Sequence, residues 1–312
     1  MTTRTILDAI GKTPLVPLHS VTKGLDVEVL AKCEHMNPGG SIKDRTALAI
    51  VDDAEARGVL SKGATLIEAT AGNTGMGLAL VAAVRGYRIA FVMPEKMSID
   101  KRKVLAAFGA EIIVTPNAPI TSPENFQNVA RRLAEERGWF LTDQFANPAN
   151  VRVHETTTGP EIFEQTGGHI GAFVAGSGTG GTITGVGKFL KKKGSSARVV
   201  LADPVGSVLA SFVTAGELGP DGRYDVEGIG SSKPPPIFDR SVIDAAESVS
   251  DEEAFAMTRR LWVEEGLFVG GSAGLAVVAA LRVAKRGDTD GPVVVVLPDS
   301  YDRYMSKPWT TQ

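Results

Sequence analysis

Short β-branched runs alternate with longer segments of helical apolar periodicity through nearly the whole chain, and this pattern narrows the possible folds more than any other feature. The runs lie at 65–68, 88–92, 111–114, 172–174, 198–201 and 292–297, and the helix-like segments at 45–57, 76–84, 98–108, 123–136, 182–192, 251–265 and 272–284. Strands that repeat in one direction need a crossover of about a dozen residues, which a helix supplies, so the alternation predicts an α/β fold built on parallel sheets. At 312 residues the chain is longer than one core usually organises, so two lobes are expected. The boundaries predict an N-terminal α/β lobe with a mobile substrate-loop subdomain over 37–146, and a larger lobe from 1–36 and 147–312. Two regions break the alternation: 147–161 reads as a crossover between lobes, and the Gly- and Pro-rich stretch 216–238 as a long functional loop. No internal repeat is present, and no regulatory module is expected after Trp309.

Composition excludes several classes of function. A formal net charge of −3 with 22% charged residues lacks the basic excess that nucleic-acid binding requires. No apolar run reaches the roughly 18 residues that span a bilayer, and residues 1–10 lack the basic and apolar regions of a signal peptide, so no membrane partner and a cytoplasmic location are expected. Cys33 is the only cysteine, which rules out an internal disulfide and any Cys/His metal cluster. It reads as a small buried hydrophobe at the end of the strand-like stretch 27–32, and no metal site is expected.

The chemistry concentrates in three loops. In Asn-Pro-Gly-Gly-Ser-Ile-Lys-Asp-Arg at 37–45, a turn delivers Lys43 to the first turn of a helix. That position disfavours a cation, so the lysine either reaches to solvent or has its charge altered by chemistry such as Schiff-base formation. Glu-Ala-Thr-Ala-Gly-Asn-Thr-Gly-Met-Gly at 68–77 sets Thr70, Ala71, Gly72, Asn73 and Thr74 between a strand and a helix N-terminus, where a carboxylate can be cradled. A plain N-cap would explain one of these residues but not the run. Gly-Ser-Gly-Thr-Gly-Gly-Thr at 176–182 follows an apolar strand and opens a helix, a geometry that binds phosphate. Gly176, Gly178 and Gly181 also satisfy a dinucleotide fingerprint, with Asp203 at the distance of a ribose-binding acid, so a nicotinamide-dependent oxidoreductase is a rival reading.

Taken in order, Pro38-Gly-Gly-Ser-Ile-Lys-Asp-Arg, Ala71-Gly-Asn-Thr-Gly, Gly178-Thr-Gly-Gly-Thr, Val226-Glu-Gly-Ile-Gly and Gly271-Ser-Ala-Gly resemble the cysteine synthase and cystathionine β-synthase family. The likeness runs from about Ile10 to Tyr304. It implies the tryptophan-synthase-β type of fold (fold type II) and pyridoxal 5'-phosphate as cofactor. By position, Lys43 matches the Schiff-base lysine and Asn73 the contact to the cofactor's phenolic oxygen. Gly178, Thr179, Gly180, Gly181 and Thr182 match the phosphate site, and Ser272 the contact to the pyridine nitrogen. Thr70, Thr74 and Gln144 match the residues that hold the substrate carboxylate, and Ala71, Gly72 and Gly228 are counted with them. Asp299 approaches the pyridine edge or simply ends a strand. Ala71 departs from the family's usual serine.

The resemblance implies β-replacement on a serine-type amino acid, with Lys43 as anchor, base and acid and with sulfide or a thiol as second substrate. A serine at the pyridine nitrogen leaves the ring a weaker electron sink than an aspartate would, which suits prompt β-elimination. Gln144 to Asn150 and Thr158 to Glu161 are similar to cysteine synthases acting on O-acetylserine and sulfide. The segments at 94–98, 203–207 and 297–306 are closer to cystathionine β-synthases, which join serine and homocysteine. Ser231, where the latter usually have tyrosine, favours cysteine synthesis. A serine or threonine deaminase is a more distant alternative, and a homodimer is implied by family alone. His35 reads as packed or solvent-facing, and Lys191, Lys192 and Lys193 as a solvated helix end.

Overall fold

In this computed structural model, residues 4–70, 72–97 and 99–311 are described, without the side chain of Asp100. The strands in chain order are β1 (Leu15–Pro17), β2 (Val29–Cys33), β3 (Thr65–Glu68), β4 (Arg88–Pro94), β5 (Glu111–Thr115), β6 (Phe140–Leu141), β7 (Ala172–Gly176), β8 (Arg198–Pro204), β9 (Ala245–Val249) and β10 (Val293–Leu297). Among the described residues they form a four-stranded sheet of order β5-β4-β3-β6 and a six-stranded sheet of order β1-β2-β10-β7-β8-β9. Every pairing is parallel except the edge strand β1, which runs antiparallel to β2. The α/β, parallel-sheet expectation is met.

Ile42–Asn150 and Met1–Ile10 make up one compact unit, and Gly11–Ser41 and Val151–Gln312 the other. Three boundaries therefore differ from those read off the sequence: residues up to Ile10 join the smaller unit, which resumes at Ile42 rather than 37 and ends at Asn150 rather than 146. The N-terminal stretch belongs with the smaller unit because Leu7 is buried in the same apolar cluster as Ala47, Val51 and Leu78. The turn before Lys43 belongs with the larger unit because Ser41 pairs with Asp299 and the Ser300 N–H donates to Gly40 O at 3.1 Å.

In the smaller unit the sheet is apolar on both faces, as a parallel sheet covered by helices must be. Successive side chains along a strand point to opposite faces. Leu66, Ile89, Phe91 and Met93 accordingly pack with the helices Lys43–Ala56 and Asn73–Arg85, while Ile67, Ala90 and Val92 pack with Val129, Ala130 and Leu133 of the helix Phe126–Arg137. In the larger unit, Val293, Val295 and Leu297 of β10 share a cluster with Ala273, Ala276, Val277 and Ala280 of the helix Gly271–Arg286.

Strands β1, β6 and β9 were not anticipated. They are short and half-exposed, so they carry no apolar run to read. The stretch read as a crossover at 147–161 does contain the change of unit after Asn150, and it runs as a continuous helical path: Ala149–Val153, a π turn at His154–Thr158, then Gly159–Gln165. Residues 216–238 hold neither helix nor strand. Cys33 is buried on β2, and burial pushes its thiol up to about 12, as fits a core residue. No helix among the described residues is long and apolar enough to cross a membrane.

Candidate active site

In the smaller unit, Lys43 is half-buried as the first residue of its helix. A Cβ added at Gly77 would lie 2.9 Å from Lys43 O and 3.2 Å from Asp44 Cα. The absence of a side chain there lets the start of the lysine helix pack onto the helix Asn73–Arg85. The Lys43 backbone is thereby set against the second turn of the helix that Gly72 caps.

That loop is built by burial. Glu68 ends β3 with its carboxylate enclosed: Thr142 Oγ1 donates to it at 2.5 Å, the Gln144 N–H at 3.1 Å and the Ala69 N–H at 3.0 Å. Burial, opposed by these bonds, raises its pKa above the ordinary carboxylate value. The Gly72 N–H donates to Thr70 Oγ1 at 3.2 Å, and Thr74 Oγ1 donates to Gln144 Oε1 at 2.5 Å. Gln144 is held from behind by Asn150, whose Nδ2 donates to Gln144 O at 2.8 Å, and Thr46 Oγ1 donates to Asn150 Oδ1 at 3.1 Å. Lys43, Thr70, Gly72, Asn73, Thr74 and Gln144 are thus gathered within one unit, at a helix N-terminus whose first-turn N–H groups favour an anion. Ala71 lies outside the described residues. Glu68, Thr142 and Asn150 were missed; the signal for Glu68 was an acidic residue closing an otherwise apolar strand.

In the larger unit, β7 runs into Ser177, Gly178, Thr179 and Gly180, and the helix Gly181–Lys192 follows. Gly180 has φ +89°, and a Cβ there would meet the Phe238 backbone at 2.9 Å; at Gly178 it would lie 2.2 Å from Gly228 O. The stretch 226–230 lies against the glycine loop, with the Gly230 N–H donating to Ser177 O at 2.9 Å. Ser177 Oγ is buried without a hydrogen-bond partner among the described residues. Ser272 is buried in the first turn of its helix. Its neighbour Gly270 donates its N–H to Asp299 O at 3.1 Å, and a Cβ there would come within 2.5 Å of Asp299 Oδ1. Asp299 is buried and accepts from the Tyr304 hydroxyl at 2.5 Å. Burial, then the Asp299 charge, pushes the Tyr304 phenol well above its usual value. Asp299 lies two residues past the end of β10, and its backbone carbonyl supports the turn before Ser272.

The rival ribose-binding role for Asp203 fails on geometry. Asp203 is wholly buried, and its Oδ2 accepts from the Ala210 N–H at 2.8 Å, so the carboxylate serves the helix Leu209–Ala215 rather than a ribose. His35 is half-buried, and burial lowers its pKa. Lys191 pairs with Asp244 at 2.7 Å at the exposed helix end.

The sequence profile described as "Pyridoxal-phosphate dependent enzyme" matches residues 6–299. The chain belongs to this family. Cystathionine beta-synthase of Oryctolagus cuniculus is 47% identical over 313 residues, covering 97% of this chain and 55% of that protein. Cystathionine beta-synthase of Apis mellifera is 46% identical over 307 residues, covering 97% and 60%. The chain thus spans a little over half the length of these curated relatives. Among solved structures, O-ureido-L-serine synthase superposes with a TM-score of 0.89 at 39% identity, covering 100% of this chain and 96% of that one. A hydrogen sulfide-producing enzyme from Fusobacterium nucleatum superposes with a TM-score of 0.88 at 33% identity, covering 98% and 99%.

The residues present fit the family's cofactor, pyridoxal 5'-phosphate. Glycine at 178 and 180 lets the loop backbone pack closely against Gly228 and Phe238, which fixes the turn that opens the helix Gly181–Lys192. The buried, unpartnered Ser177 hydroxyl offers a donor there, and a helix N-terminus favours the phosphate charge. This replaces the nicotinamide reading.

Proposed function

We propose that this chain carries out β-replacement on a serine-type α-amino acid, with homocysteine as the thiol acceptor. Lys43 would carry the cofactor, Asn73 would meet its phenolic oxygen, Gly178 to Thr182 would hold its phosphate, and Ser272 would serve its pyridine nitrogen. When bound, the cofactor makes the Cα proton of the attached amino acid acidic and lets a Cβ substituent leave. The Thr70–Thr74 loop and Gln144 bind the substrate carboxylate and so fix Cα near the Lys43 amine. That amine removes the Cα proton and returns it after the thiol has added at Cβ.

The observation that carries the reading is the gathering of Lys43 and an anion-binding loop on two helices packed through Gly77. Homocysteine is preferred because cystathionine beta-synthases match 97% of the chain at 46–47% identity. Ser231 supports a second reading, sulfide as acceptor with O-acetylserine as donor. Its hydroxyl donates to Lys233 O at 2.6 Å within its own turn, so it provides no phenol at that position.

The test is product analysis by mass with each donor and acceptor in competition, alongside the visible spectrum. Cystathionine formed from serine and homocysteine supports the first reading, and cysteine formed from O-acetylserine and sulfide the second. Release of keto acid without a thiol would overturn both in favour of a deaminase.

A further inference from the structure

We propose that His154 is a positioning residue for the cofactor phosphate, orienting the Thr182 hydroxyl from behind. The inference rests on the reading that the glycine loop holds that phosphate.

His154 is wholly buried and opens the π turn His154–Thr158. Single π turns inside helices are uncommon and recur at functional sites. The turn faces the helix that follows the glycine loop: a Cβ added at Gly185 would lie 2.4 Å from Val151 O and 2.7 Å from His154 Cβ, so only glycine allows this approach. The imidazole then spans two hydroxyls, with Nδ1 2.9 Å from Thr158 Oγ1 and Nε2 3.3 Å from Thr182 Oγ1.

A neutral imidazole has one donor and one acceptor nitrogen, so the chain Thr158–His154–Thr182 has two possible polarities. In one, Thr182 spends its proton on Nε2 and has only lone pairs left. In the other, Thr158 donates to Nδ1 and the Nε2–H donates to Thr182 Oγ1, which leaves the Thr182 proton for a ligand. A phosphate dianion only accepts, so it selects the second polarity. The Thr182 hydroxyl is thereby aimed, and its bond to the anion is strengthened by the chain behind it.

The experiment compares binding of pyridoxal 5'-phosphate and of pyridoxal, which lacks the phosphate, to apoprotein carrying His154→Ala, Thr182→Ala or both, read by visible absorbance. His154→Ala is expected to weaken the phosphorylated aldehyde roughly tenfold and to leave pyridoxal unchanged, with the double variant little worse than Thr182→Ala. Equal weakening of both aldehydes, or none, overturns the proposal. Should the alanine variant not fold, His154→Leu is measured in the same way, and His154→Gln, which keeps a donor, is expected to recover most of the loss. If Thr182→Ala leaves the phosphorylated aldehyde unaffected, the phosphate reading itself falls. If Thr182→Ala weakens it and His154→Ala does not, only the role of His154 falls.

Discussion

Thr74 Oγ1 lies 2.5 Å from Gln144 Oε1, both side chains buried and 70 positions apart in the chain. An amide oxygen can only accept, so the hydroxyl donates and the Gln144 Nε2 group is turned to the other side, two donors in a fixed direction. Replacing Gln144 with Leu removes those donors and strands the Thr74 proton. We expect kcat/KM for the amino-acid substrate to fall about 10- to 100-fold, mainly through KM, at the usual cost of a lost charge-assisted bond. Steady-state kinetics check this; an unchanged KM would remove Gln144 from the carboxylate site.

Lys43→Ala deletes the amine assigned to anchor the cofactor and move the Cα proton. Turnover is expected to fall by more than about a thousandfold. Pyridoxal 5'-phosphate should still associate without covalent attachment, because the assigned phosphate contacts lie on the glycine loop. Borohydride reduction followed by mass analysis, together with rate measurements, tests both parts.

Gly178→Ala places a methyl group where Gly228 O stands 2.2 Å away. The two loops must part, at a cost of about 1–3 kcal/mol of overpacking. The expected result is a lower melting temperature together with weaker cofactor binding. Gly63→Ala, where a Cβ meets nothing within 4 Å, separates the two effects: its φ of +75° brings backbone strain without any clash, and cofactor affinity should stay the same.

Burial pushes the Asp203 carboxyl up to about 6, against bonds from Ala210, Ser207 and Leu209 that pull it down. Its folded pKa is thus above its unfolded value near 3.8. Between those values the folded state binds more protons than the unfolded one, so this group's contribution to stability is complete below about pH 4 and declines as pH rises through about 6. Asp203→Asn keeps an oxygen for the Ala210 N–H and loses the titration. It is expected to raise the melting temperature at pH 7.5 while changing little at pH 4. Denaturation at the two pH values decides the matter, and equal shifts at both would contradict it.

Much of the architecture could be read in advance because it follows from local rules. The runs at β3, β4, β7, β8 and β10 are β-branched and apolar, and the glycines around 178 and 180 occur where backbone must approach backbone. The site loops were legible for the same reason: Lys43, Thr74 and Gly178 each sit at a strand or turn that opens a helix. Strands β1, β6 and β9 escaped because their half-exposed residues carry no periodic signal.

The linear chain by itself determined the α/β class, the order of the loops and the residue types able to hold a phosphate and a carboxylate, since these depend on backbone sterics and on neighbours a few positions away. Tertiary structure alone decided which distant residues serve those loops. The enclosure of Glu68 by Thr142 and Gln144, the contact of Gly77 with Lys43 O, and the placement of His154 between Thr158 and Thr182 depend on burial and on close approach between elements far apart in sequence. Buried polar groups must find partners wherever the fold places them, and no local pattern encodes which partner that will be.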